Sequence, residues 1–129
     1  MAPEEVAEYA LSLPEVTEHD PSRAMQLYKT GGKIFAVLTP ATATRPDEGA
    51  PKCDPGLALR LREQYRAVRP GRYGSSHLWN TVILDGTVPD EELTDMIDHS
   101  WHRTVDQLPN AHRDRLRALR PGRTAGPGH

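Results

Sequence analysis

Apolar residues recur at Val6, Tyr9, Ala10 and Leu13, the three-and-four spacing that lines one face of a helix. Pro3 stands at a first-turn position, where its missing N–H has no partner to lose, and Glu4 and Glu5 complement the positive helix end. Pro14 ends the stripe. From Val16 to Thr39 the pattern changes to short extended pieces. Thr17–Asp20 and Ala24–Lys29 read as strands, and Lys33-Ile34-Phe35-Ala36-Val37-Leu38 returns as the most apolar one. Thr30-Gly31-Gly32 supplies the hairpin turn between Lys29 and Lys33.

The polar segment from Pro40 to Gly49 reads as a solvated loop, with a short strand expected around Lys52-Cys53. Asp54-Pro55 then places an N-cap before a proline, and Leu57, Ala58, Leu61 and Tyr65 form the inward stripe of a second helix. Val68 to Leu78 holds Pro70, Gly71 and Gly74 and reads as loop. Trp79-Asn80-Thr81-Val82-Ile83-Leu84 has the aromatic and β-branched content of a strand, ended by Asp85-Gly86. Asn80 inside it either alternates to solvent or bonds the Gly71–His77 loop. Pro89-Asp90-Glu91-Glu92 opens a third helix, whose buried face is Leu93, Met96, Ile97, Ser100, Trp101 and Thr104. Leu108-Pro109 closes it, and Asn110 caps a short basic helix from Ala111 to about Leu119. Three to four helices and about five short strands with hairpin connections predict an α+β fold, an antiparallel sheet with helices packed on one side.

Composition narrows the class. The 129 residues are 36% apolar and 26% charged, ordinary for one globular domain over 1–119, with a Pro/Gly-rich disordered tail expected over 120–129. No apolar run is long enough to cross a bilayer, and no basic-then-apolar leader opens the chain, so the expectation is a cytoplasmic protein without membrane contact, monomeric or weakly dimeric. One cysteine, Cys53, excludes an internal disulfide or a multi-cysteine metal cage.

The net charge of −2 does not advertise a polyanion binder, but its distribution is uneven. Residues 59–76 carry five basic side chains against one acidic, whereas residues 77–106 carry seven acidic against one basic. Residues 107–129 are basic again. Local field, rather than total charge, is what a phosphate backbone responds to.

Several segments in order resemble the MmcQ/YjbR (DUF419-type) family: Lys29-Thr30-Gly31-Gly32-Lys33-Ile34-Phe35-Ala36, Lys52-Cys53-Asp54-Pro55, Leu61-Arg62, Pro70-Gly71, Trp79-Asn80-Thr81-Val82, Leu84-Asp85-Gly86, Pro89-Asp90-Glu91-Glu92-Leu93 and the Leu108-Pro109 to Leu116 ending. Ile97-Asp98-His99-Ser100-Trp101 stands where the family usually has a Ser-Tyr pair. The resemblance implies a frataxin-like (CyaY-like) fold and a DNA-binding role through a double wing of hairpins. One departure is the loop Arg72-Tyr73-Gly74-Ser75-Ser76-His77-Leu78, where relatives often carry an Asn-Lys-Arg-His type sequence. Two cationic positions have become Ser76 and His77.

The candidate contacts to double-stranded DNA are Lys29, Lys33, Arg60, Arg62, Arg66, Arg69, Arg72, Arg113, Arg115 and Arg117. Such cations would bind by releasing counterions from phosphates, and no helix carries a set of base-reading side chains. The alternative is a small-molecule or protein-binding module in which Tyr28, Tyr73, Trp79 and Trp101 line a pocket between sheet and helices. Trp79 and Trp101 read equally as core residues. Catalysis has no foothold. Cys53 has no nearby histidine, Gly31-Gly32 precedes no helix, and no cofactor fingerprint is present. Asp95, His99, His102 and Asp106 share one helical face, a stripe that fits a solvated surface as well as a divalent metal. A non-enzymatic binding protein without cofactor is the expectation.

Overall fold

The predicted first helix is α1 (Pro3–Ser12) in the computed structural model, which describes residues 1–22, 25–71 and 78–119. Its N-cap is Ala2, which has no side-chain oxygen, and the Glu5 carboxylate reaches back to accept the Ala2 N–H at 2.9 Å. The hairpin strands follow as β1 (Val16–Ser22), β2 (Met25–Thr30) and β3 (Lys33–Thr39). Then come β4 (Glu48–Pro51), α2 (Pro55–Gln64), β5 (Val68–Pro70), β6 (Asn80–Ile83), α3 (Asp90–Val105) and α4 (Asn110–Leu119). All neighbouring strands are antiparallel, in the order β1-β2-β3-β4-β6-β5.

Register shows that the helices share one face of the sheet. Leu38, Gly49, Val82 and Val68 lie side by side across β3, β4, β6 and β5. Leu38 belongs to the core of Ala10, Leu13, Tyr28, Phe35, Ile97, Trp101 and Leu116, which joins α1, α3 and α4 to the first three strands. Val68 and Val82 belong to a second cluster, where Leu61 of α2 meets Leu93 and Met96 of α3. Every residue predicted for the buried face of the third helix is buried. The tie between α1 and α3 is also polar: Tyr9 donates its hydroxyl to the buried Asp98 at 2.7 Å, and the Met1 ammonium contacts Asp90 at 2.8 Å.

Two strands depart from the sequence expectation. The strand expected at Lys52-Cys53 lies at Glu48–Pro51, and Lys52 makes only an isolated bridge to Trp79. Glu, Gly and Pro are poor strand formers, so β4 exists because β3 and β6 pair with it on both sides. The segment read as loop after Val68 contains β5, three residues at the sheet edge, too short to show a period. Pro70 is tolerated there because an edge strand leaves one side unpaired. The expected tail at 120–129 lies outside the described residues.

Two glycines hold special positions. Gly31 has φ +59°, and a Cβ there would also meet the Leu108 methyls at 2.6 Å, so the turn needs both its freedom and its size. Gly71 donates its N–H to Trp79 O at 2.8 Å, and a Cβ would sit 2.6 Å from that carbonyl oxygen. Backbone cannot yield as a side chain can. Gly71→Ala is expected to destabilise the fold by about 1–3 kcal/mol in urea unfolding, and an unchanged midpoint would show that the β5–β6 pair separates freely.

Candidate nucleic-acid interface

Lys29 and Lys33 flank the β2–β3 turn as predicted. Tyr28 is buried in the core and the Thr30 hydroxyl contacts Pro14 O at 3.4 Å, so both neighbours of Lys29 face the helices. Alternation along β2 sends Lys29 to the other face. Lys33 is exposed opposite Thr30. The register then skips Phe35, leaving a bulge, and the carbonyl of that residue turns to other donors. It accepts the Lys52 N–H at 3.0 Å and the hydroxyl of Ser100 on α3. The Lys52 N–H also lies 2.8 Å from the Ser100 oxygen. This clasp binds β3, the end of β4 and α3 together.

One turn beyond Ser100 stands Arg103. Its Nε is buried without a hydrogen-bond partner, and it forms no salt bridge among the described residues. Burial, then the positive charges of Arg103 and Lys33, hold the Lys52 ammonium below the usual lysine range. Neither Lys52 nor Arg103 stands out in the sequence. Arg103 is the one basic residue in the most acidic stretch of the chain, and only the fold brings it to the hairpin end.

The arginines around α2 separate into different roles. Arg60 and Arg66 are exposed, and Arg69 is exposed on β5 opposite Thr81, on the face away from the helices. Arg66 and Arg69 border a shallow groove of about 380 Å³ with Tyr65, Ile83 and Asp85. The Asp85 carboxyl is held below the usual range by the Thr87 hydroxyl at 2.6 Å and N–H at 3.0 Å. Arg62 turns inward. Its Nε donates to Asn80 Oδ1 at 2.6 Å and a terminal nitrogen to Trp79 O at 3.4 Å. Arg72, like Tyr73, lies outside the described residues.

The three arginines of α4 are neutralised. Arg113 pairs with Asp114 at 3.3 Å, Arg115 makes a forked contact with Glu15, and Arg117 pairs with Asp106. The candidate cations therefore do not all remain free to meet a phosphate backbone. Most cations without an ion pair among the described residues form two groups, Lys29, Lys33, Lys52 and Arg103 at the hairpin end, and Arg60, Arg66 and Arg69 by the β5 edge. Asp85 lies beside the second group, and four other carboxylates stand apart. Glu4, Glu8, Glu18 and Asp47 rim an open cleft of about 770 Å³ floored by Ala7, Leu11 and Leu38.

Among the described residues the aromatic candidates Tyr28, Trp79 and Trp101 do not converge on an open space. Tyr28 and Trp101 are fully buried in one core. The Tyr28 hydroxyl donates to Glu18 at 2.6 Å, and burial together with that carboxylate pushes its pKa far above the usual tyrosine value. Trp79 is half-buried opposite Lys52. Between the sheet and α1/α3 lies a void of about 20 Å³, room for about one water and far too small for a ligand.

The stripe on α3 is divided among separate partners. His99 accepts the Asp54 N–H at 3.2 Å, His102 stands edge-on to Trp101 at 5.0 Å, and Asp106 holds Arg117. Burial keeps the His99 imidazole below its ordinary pKa, which suits a ring that must keep a lone pair for that N–H. Among the described residues no three His, Cys, Asp or Glu side chains are placed to share a metal ion. The Cys53 thiol is buried and pushed up to about 11, so it stays protonated at neutral pH. Among the described residues no helix is long and apolar enough to cross a membrane.

The family model for YjbR matches residues 11–103. The chain belongs to the YjbR family. It is 33% identical over 114 residues to the uncharacterized protein YjbR of Escherichia coli strain K12, covering 87% of this chain and 94% of that one. With the uncharacterized Escherichia coli O157:H7 protein YbdF it shares 32% over 100 residues, 74% of this chain and 75% of the relative. Among solved structures, a Deinococcus radiodurans protein with a DUF419 domain superposes at a TM-score of 0.79 and 25% identity, covering 89% of this chain and 90% of that chain. A Pseudomonas syringae protein shares the fold at a TM-score of 0.70 and 20% identity, over 81% and 99% of the two chains. The YjbR match runs from the end of α1 into α3, so the Ser100 clasp and the hairpin cations lie inside it, whereas the paired arginines of α4 lie beyond it.

Proposed function

We propose that this YjbR-family chain binds double-stranded DNA through its phosphates, without strong sequence preference and without chemical turnover. The supporting observation is the segregation of charge. Seven cations at the hairpin end and the β5 edge have no salt-bridge partner among the described residues, while four carboxylates cluster around a separate cleft. A polyanion is drawn to the first region and repelled from the second, which orients the encounter. The contact set differs from the sequence-based one. Lys52 and Arg103 join it, and Arg62, Arg113, Arg115 and Arg117 leave it because each already has a partner within the protein. The small-molecule alternative loses support, because Tyr28 and Trp101 have no free surface to offer a ligand.

Fluorescence anisotropy with a labelled duplex across a salt series tests this. Affinity should fall steeply with salt. Changing Lys29 and Lys33 together to Gln should flatten the log–log slope by about 2, near 0.9 for each phosphate that is no longer neutralised. Absence of binding at low salt would reject the reading, as would a slope indifferent to these residues.

A further inference from the structure

Three cations from three separate elements are brought to one place at the hairpin end, and the means of bringing them there is internal. Ser100 is fully buried and ties the Phe35 carbonyl to the Lys52 backbone. Lys33 lies two residues before Phe35, Lys52 is itself in the clasp, and Arg103 is one helical turn from Ser100. Their charges act on one another. The group therefore has a fixed base, unlike lysines scattered on a surface.

Among the described residues the arrangement lacks a counter-charge. Like charges held together repel unless a counter-charge lies among them. The Arg103 Nε is closed to solvent, so an anion meets this side chain at its terminal nitrogens. Asp54, the acidic residue two positions after Lys52, stands 3.6 Å from His99 at the start of α2. A tetrahedral anion with several oxygens would supply that counter-charge, accepting from the terminal guanidinium nitrogens while balancing two ammonium groups.

We propose that Arg103, Lys52 and Lys33 form a subsite that holds one phosphate group. It deepens the nucleic-acid reading and rests on it for the source of that phosphate, a DNA backbone rather than a free phosphate ester. The Arg103 guanidinium binds the phosphate oxygens from the α3 side, Lys52 from the end of β4, and Lys33 from the rim.

The test is titration of the full chain with inorganic phosphate against chloride at matched ionic strength, followed by NMR at the Arg103 Nε–H and the Lys52 amide. Saturable shifts at both are expected. Arg103→Gln and Lys52→Gln should each weaken phosphate binding about tenfold or more, whereas Arg45→Gln, which removes one charge elsewhere, should not. Arg103→Lys covers the case in which Arg103→Gln fails to fold, because it keeps the charge while losing the fork and should bind phosphate more weakly than the parent. Shifts that never saturate, or equal affinity in parent and variants, would overturn the subsite. Duplex DNA forms the second arm. Phosphate binding without DNA binding leaves the subsite standing for a free ester and removes the nucleic-acid reading. DNA binding with an unchanged salt slope in Arg103→Gln, and no phosphate effect, removes the subsite alone.

Discussion

Trp101→Ala is expected to lower the unfolding free energy by about 3–5 kcal/mol, the range for truncating a buried aromatic residue. Trp101 has 0% exposure and is the largest side chain in a core that includes Ala10 and Leu13 from α1, Tyr28 from β2 and Phe35 from β3. Removing the indole opens a cavity that backbones from separate layers cannot close together. It also removes the Nε1–H donated to Pro14 O at 3.2 Å, leaving that carbonyl the longer Thr30 hydroxyl contact at 3.4 Å. A domain of this size has a total stability on the order of 5–15 kcal/mol, so the variant should populate unfolded chains on mild heating. Trp101→Phe keeps most of the volume and loses only the donor, so its cost should be nearer 1–2 kcal/mol. Urea unfolding read by far-UV circular dichroism measures both. A Trp101→Ala loss below about 1 kcal/mol would mean that α3 does not rest on this residue.

How much of this was legible in the sequence depends on whether the cause is local. α1 and α3 announce themselves by proline, first-turn acids and a periodic apolar stripe, and even the polar Ser100 and Thr104 fall on the predicted buried face. Why Ser100 is buried was not readable, because its partners lie 48 and 65 residues away. β4 was expected too late, at Lys52-Cys53, and β5 was missed, for a related reason: neither has a strand-like composition and both lie beside β6, which pairs with them. The candidate site divides in the same way. Lys29 and Lys33 follow from a turn between two strands. The fate of Arg115 was hidden, because Glu15, which neutralises it, stands 100 residues earlier. Arg103 was hidden too, since counting charge along the chain averages it with acids that the fold sends elsewhere. Arg62 looked free on a helix because Asn80 was read as part of a strand facing solvent or a loop.

Asn80 is where that last misreading can be measured. It is 1% exposed, so it does not face solvent, and among the described residues its side chain bonds α2. Its amide donates to Ala58 O at 3.2 Å and its Oδ1 accepts from Arg62 Nε at 2.6 Å, a short charge-assisted bond that locks α2 against β6. A solvent-facing Asn would cost about 0.5 kcal/mol on truncation. Here Asn80→Ala is expected to cost about 2–4 kcal/mol, since a hydrogen bond to a charged group contributes ~1.5–3 kcal/mol and a second bond is lost with it. Arg62→Met keeps the aliphatic stem and leaves Asn80 Oδ1 unanswered, so it should also destabilise. The two changes together should cost less than their sum, with a coupling of about 1–3 kcal/mol in a double-mutant cycle by urea unfolding. Additivity within ~0.5 kcal/mol would show that the pair does not interact in solution. The same Arg62→Met protein decides the reassignment of this arginine, because a residue committed to the fold loses stability while the salt slope of DNA binding stays where it was.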